Sequence, residues 1–242
     1  MNHTLLLTLA GIVAGAIAAI SGFGIGSILT PLLAASIGTK LAVAIVSIPH
    51  FIGTALRFAV IREHVDRHVL WSFGITSAAG GLVGALLHIW LRSVVLGYVL
   101  GVLLVFAGVM GITGLAARMR FGRRTAWVAG ALSGMFGGLV GNQGGIRSAA
   151  LQGFGLQRDA FVATATAIAL LVDVFRMPVY AALQWHQIVA QWPAAAIATI
   201  GVVVGTLSGK WMLRRIPQNA FRMIVACIIL ALGVWMLVHP GA

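Results

Sequence analysis

Three short runs in this sequence combine side chains capable of chemistry with backbone unsuited to continuous helix. The most informative is Gly137-Gly138-Leu139-Val140-Gly141-Asn142-Gln143-Gly144-Gly145, with Arg147 and Ser148 following at once. Glycine is about 1 kcal/mol worse than alanine inside a helix, so this density predicts a break. The free N–H groups of a helix starting after such a break attract anions. Asn142 and Gln143 add neutral amide donors, and Arg147 adds a planar fork suited to an oxyanion. Gly141, Gly144 and Gly145 either let a ligand approach the backbone or let helices pack closely. Both readings stand, as does a snorkelling Arg147.

The second run is Leu170-Leu-Val-Asp-Val-Phe-Arg-Met-Pro178. A spacing of three puts Asp173 and Arg176 on one helix face. Asp173 is the acidic residue deepest in an apolar stretch, where an unpaired charge is costly. Either the two form an ion pair that sets helix packing, or Arg176 faces an anion while Asp173 orients it or relays a proton. Thr164, Thr166 and the equivalent Ser47 offer hydroxyls nearby, and Pro178 predicts a kink just beyond. The third run, Ser21-Gly22-Phe23-Gly24-Ile25-Gly26, predicts a second break, with Gly24 and Gly26 as its candidates. His50, in mid-stretch, reads as a packing histidine or a proton carrier. Arg57, near a stretch end, reads as a snorkelling residue or a further anion contact.

The elements that position these groups lie in a membrane. The chain has 242 residues, 60% hydrophobic and only 8% charged, against about 25% charged in soluble domains. Six apolar stretches (40–61, 69–91, 94–116, 159–182, 188–210 and 219–238) approach the ~20 residues that a crossing helix needs. Two further regions, 4–37 and 125–153, contain the glycine breaks. The fold class expected is an all-α, polytopic transmembrane bundle. The net charge of +12 would suggest nucleic acid in a soluble protein, but the basic residues cluster in short breaks between apolar stretches, which is an orientation signal. One cysteine, Cys227, excludes a disulfide framework or thiolate metal cluster within the chain. The N-terminus lacks the basic region of a cleaved signal peptide, so Leu5 to Ile20 reads as retained helix.

The two halves resemble each other. An offset of 119 carries Gly22 to Gly141, Gly26 to Gly145 and Arg57 to Arg176; an offset of 121 carries Trp71 to Trp192. The expected organisation is a first repeat 1–116, a basic linker 117–124 and a second repeat 125–242. Each repeat has one broken or re-entrant hairpin and three crossings. Three is odd, so the second repeat is inverted, a recurring transporter plan. Arg57, Arg62, Arg67, Arg118, Arg120, Arg123, Arg124, Arg158, Lys210, Arg214, Arg215 and Arg222 then share one side, against Lys40 and Arg92. That side is cytoplasmic by the positive-inside rule, with both termini outside. Whether the breaks are re-entrant or pairs of full crossings leaves this parity unchanged. All seven tryptophans fall near proposed segment ends, as an interfacial belt requires.

The runs GFGIGSILTPLL, GGLVGNQGGIRSAAL and GFGLQRDAFVATATAIALLVDVFRMPVY resemble the TauE/SafE family of membrane transporters, the sulfite exporter or toluene-sulfonate uptake permease family. The resemblance covers nearly the whole chain. It implies an inverted-repeat helical fold, a bacterial plasma-membrane location, and transport, more often export, of sulfite, organosulfonates or related anions. By match to its motifs it singles out Gly24, Gly26, Gly141, Gly144, Gly145 and Arg147. Ser27 stands where the family pattern often has glycine, which weakens the first-half contribution.

The expected partners are a small anionic solute and membrane lipid, with no cofactor, metal or nucleic acid. Oligomeric state is open, a homodimer included. An intramembrane serine hydrolase is the competing enzyme class, but its nucleophile needs a positioned base. Ser21, Ser133 and Ser208 lack the glycine two positions earlier, and His50 has no evident serine partner. A channel is the other alternative; a carrier saturates and shows counterflow where a channel does not.

Overall fold

The computed structural model describes residues 3–115, 123–213 and 216–241. Arg118, Arg120, Arg214, Arg215 and most of the 117–124 linker lie outside the described residues. The regular structure is all helical: α1 (His3–Ser21), α2 (Ile25–Ile37), α3 (Thr39–Ile61), α4 (Arg67–Val69), α5 (Ile75–Trp90), α6 (Ser93–Thr113), α7 (Arg123–Val140), α8 (Gly144–Gln152), α9 (Arg158–Ala190), α10 (Trp192–Leu213) and α11 (Gln218–Val238). A π-helical turn, Leu70–Gly74, joins α4 to α5 in one continuous rod.

Both expected breaks are present. Gly22 (φ 82°) ends α1 and Gly141 (φ 71°) ends α7, each in left-handed backbone that a Cβ disfavours. The following helices are short, α2 with 13 residues and α8 with 9. Among the described residues, seven rods are long and apolar enough to cross a membrane, and α1 is one of them. The breaks are therefore unequal. Thr4–Ser21 is free of charge over 18 residues, whereas α7 opens with Arg123 and Arg124 and its apolar part is only Trp127–Val140.

One boundary differs from expectation. The apolar stretches 159–182 and 188–210 leave a gap at 183–187, yet α9 continues through it to Ala190. Gln184 is buried and takes the non-helical angles (φ −128°, ψ 17°). The irregular backbone thus lies six residues beyond Pro178 (184 − 178 = 6) rather than beside it. Trp71, Trp90, Trp127, Trp185, Trp192 and Trp211 are exposed, while Trp235 is half-buried.

The halves interleave. Helix α1 packs along α10, α5 along α7, and α6 along α11. Exchanging halves turns the first pairing into the second and returns the third to itself. Glycines make these approaches possible: a Cβ on Gly15 would strike the Val202 carbonyl, and one on Gly134 the Ser77 carbonyl (134 − 15 = 119). Between α6 and α11, Gly108 faces Leu230 and Gly233 faces Val105, each counterpart 125 residues away (233 − 108 = 125; 230 − 105 = 125). The rows ascend in opposite directions, so α6 and α11 run antiparallel. So do α3 and α9, where His50 meets Asp173 and Arg57 meets Thr166.

Candidate functional site

The two breaks meet inside the bundle. A Cβ on Gly26 would strike the Gly141 carbonyl, and the Phe23 ring lies against Gly144. The Ser27 hydroxyl reaches Asn142 Oδ1 at 3.3 Å. Each severed helix is terminated in the same way. Gly22 N–H donates to Ala18 O and Gly141 N–H to Gly137 O, both at 3.0 Å. An arginine from a neighbouring helix caps the same two carbonyls. Arg57 Nη1 donates to Ala18 O at 2.6 Å, and Arg176 Nη1 to Gly137 O at 2.6 Å. The positions match at one offset (137 − 18 = 119; 176 − 57 = 119). A helix C-terminus leaves carbonyls unpaired and carries partial negative charge, and a guanidinium answers both needs.

The arginines differ in their remaining bonds. Arg57 Nη2 donates to Gly22 O at 3.2 Å, and its Nε to the Thr166 hydroxyl at 2.8 Å, which itself donates to Val162 O. Arg57 is 5% exposed, so it does not snorkel. Arg176 Nε donates to Asp173 Oδ1 at 2.8 Å, while Asp173 Oδ2 accepts from His50 Nδ1 at 2.7 Å. The His50 side chain is 10% exposed and that of Asp173 is fully buried, so His50 stands between Asp173 and accessible space. Ser47 is spent on the Ala44 carbonyl, and the Thr164 hydroxyl accepts from Asp66 N–H.

Arg147 is the exception. It is 2% exposed, and Nη1 donates to Ala165 O at 3.0 Å, but Nε and Nη2 have no partner. Asn142 Nδ2, both Gln143 amide atoms and the Thr30 and Thr54 hydroxyls are likewise buried and unpartnered. Buried polar groups are normally paired, so each of these atoms carries hydrogen-bonding capacity that the described protein atoms leave unused. Three buried guanidiniums (Arg57, Arg147, Arg176) face one buried carboxylate, Asp173, a balance of 3 − 1 = 2 positive charges with His50 neutral among the described residues. That surplus in apolar surroundings favours an anion. Thr30, Thr54 and Ser27 were not recognisable from their own types; Thr54 is marked only by the offset that carries it to Asp173 (173 − 54 = 119). Ser21, Ser133 and Ser208 donate to backbone carbonyls.

A cavity of about 290 Å³ opens beside the breaks on the face that bears the helix starts α9 and α11. Phe23, Gly145 and Ser148 line its inner end, and the exposed Arg158 and Arg222 also line it. Its counterpart across the repeat is filled. The offsets 119 and 125 carry Val162 to Val43, Ser148 to Leu29, Gln152 to Leu33, Phe221 to Leu96, Val225 to Leu100 and Ile229 to Leu104. Each of those six counterparts is at most 1% exposed.

A multi-pass helical membrane protein with an anion-suited centre at two broken helices is the class these features define. Residues 7–236 match the family model described as Sulfite exporter TauE/SafE, and the chain belongs to that family. It is a family of transporters, not enzymes, moving small sulfur-containing anions in a lipid environment. No curated protein and no solved structure matches the chain.

Proposed function

We propose that this chain is a secondary transporter, working as an exporter, for a small sulfur oxyanion such as sulfite or an organosulfonate. The observation that carries this is the buried, half-unpartnered Arg147 fork beside Asn142 and Gln143 at the start of α8. Gly26, Gly141 and Gly144 let the two breaks approach each other; Gly24 lies against Ile17 and Gly145 against Ala107, with Gly145 and Ser148 on the guest's route through the cavity. Arg57 and Arg176 shape the site by holding the cut ends of α1 and α7, and the His50–Asp173 pair carries the coupling proton. Purified protein in vesicles is expected to take up sulfite or an organosulfonate saturably and with counterflow. Flux indifferent to both, or without saturation, rejects the proposal.

The two halves act as inverted repeats, 1–116 and 125–242, joined by the 117–124 linker, and exchange roles to give alternating access. Support comes from the antiparallel α3/α9 and α6/α11 pairs and from the cavity whose counterpart is packed shut. We place the chain in a bacterial-type plasma membrane with the basic face cytoplasmic and both termini outside. In a Cys227→Ser background, Ser148→Cys is expected to react with a membrane-impermeant thiol reagent from the basic face. Leu33→Cys is expected to react only from the opposite face, and only during turnover. Leu33→Cys reacting from the basic face, or staying inert throughout turnover, defeats alternating access.

A further inference from the structure

A second polar cluster lies on the other side of the α7–α8 break from the cavity. His88, on α5, is fully buried, with Nδ1 2.7 Å from Leu139 O. A carbonyl only accepts, so Nδ1 carries hydrogen and Nε2 of the neutral ring presents a lone pair. That Nε2 has no hydrogen-bond partner. The Tyr180 ring lies 5.1 Å from the His88 ring, and its hydroxyl donates to Gly138 O. His88 and Tyr180 therefore hold the last carbonyls of α7 just ahead of Gly141. One turn past Tyr180, Gln184 is 8% exposed, occupies the non-helical point of α9, and leaves both amide atoms unpartnered.

The position along α9 is plain. Its start, Arg158 to Val162, lines the cavity; Ala165 meets Arg147; Asp173 meets His50; Tyr180 and Gln184 lie beyond. The repeat does not require polarity here, because the offsets carry His88 to Gly209, Tyr180 to Ile61 and Gln184 to Val65. Unpaired polar groups inside a membrane bundle are costly and mark solute or proton routes.

We propose that His88 and Gln184 form a second station for the transported anion, on its way between the midplane site and the face opposite the cavity, and that the anion passes it bearing one proton. The station rests on the transport reading above. A bare oxyanion would meet the Nε2 lone pair and be repelled. An oxyanion that keeps one proton donates its O–H to Nε2 and accepts from the Gln184 amide. Transfer of that proton to Nε2 leaves the same composition, an imidazolium beside the anion. The groups that face the ring are the Lys40 backbone and side chain from α3 and Arg176 and Tyr180 from α9, while α7 presents the Gly138 and Leu139 carbonyls. Lys40 Nζ is already spent on Ile89 O and Leu91 O. The station thus favours an anion that can hold a proton near neutral pH, as sulfite does, over the anion of a strong acid such as methanesulfonate.

The test compares sulfite and methanesulfonate flux in vesicles, with proton movement followed by an internal pH dye. His88→Asn keeps an N–H for Leu139 O and removes Nε2; Gln184→Leu removes the amide. Each is expected to slow sulfite flux at least tenfold and abolish its accompanying proton movement, whereas methanesulfonate flux is expected not to fall, and to rise in His88→Asn, where the repelling lone pair is gone. Sulfite binding to the purified variants is expected to stay within twofold of the parent. Equal losses for both anions assign the pair to packing and overturn the station, as does unaltered proton-linked sulfite flux in both variants. Absence of sulfite binding by the unmodified protein overturns instead the sulfite reading on which the station rests.

Discussion

Arg147→Gln is expected to lower sulfite flux at least a hundredfold while leaving the fold intact. The reasoning begins with the two unpartnered donors of Arg147, Nε and Nη2. A hydrogen bond to a charged group contributes about 1.5–3 kcal/mol, so two amount to at least ~3 kcal/mol. Each 1.4 kcal/mol is about tenfold, which sets the expected factor. Stability moves differently. In the empty protein Arg147 donates to Ala165 O through Nη1 and sits among buried Arg57 and Arg176. Removing that charge relieves like-charge repulsion, so the melting temperature of the empty variant is expected to hold or rise. Sulfite should stabilise the parent by mass action and leave the variant unmoved. Arg147→Lys is expected to recover only part of the flux, since an ammonium lacks the planar fork. Thermal melts with and without sulfite, together with vesicle flux, decide the matter. Normal transport by Arg147→Gln would move the anion site elsewhere.

Much of this is legible in the sequence, and the reason differs by feature. Breaks at Gly22 and Gly141 follow from glycine density, a local property. The 119 offset is also local information, compared twice, and it sets Arg57 against Arg176. Its meaning was not legible. That both arginines cap the carbonyls of Ala18 and Gly137 depends on α3 passing the end of α1 and α9 the end of α7, and helical periodicity says which face a residue takes without saying what lies opposite. The same limit hides His50–Asp173, 123 residues apart, and His88–Leu139. The run at 184–187 misled for another reason. Polar residues usually signal a loop at the membrane surface, but Gln184 turns inward within a continuing helix. A buried polar residue and a surface turn look alike in sequence.

The second large effect is expected at Asp173. Its carboxylate accepts from Arg176 and His50 together, and it offsets the buried positive charge of the centre. Asp173→Leu removes the acceptor and leaves the described buried charges at 3 − 0 = 3. Breaking a buried pair from one side costs about 3–5 kcal/mol, a large fraction of ordinary stability, so the variant is expected to lose most of its folded yield in detergent. Replacing both partners removes the orphaned charge, so Asp173→Leu with Arg176→Leu should melt higher than Asp173→Leu alone. The double variant should still fail to transport, because Arg176 also caps Gly137 O and holds the end of α7. Asp173→Asn separates charge from shape. It keeps an acceptor for Arg176 and should fold, but it cannot exchange a proton with His50. If the pair carries the coupling proton, its flux loses the parent's pH dependence; an unchanged pH profile would leave Asp173 as the packing anchor alone. A wild-type melting temperature for Asp173→Leu would contradict the electrostatic account, because nothing else described at this depth in the bundle balances the three guanidiniums.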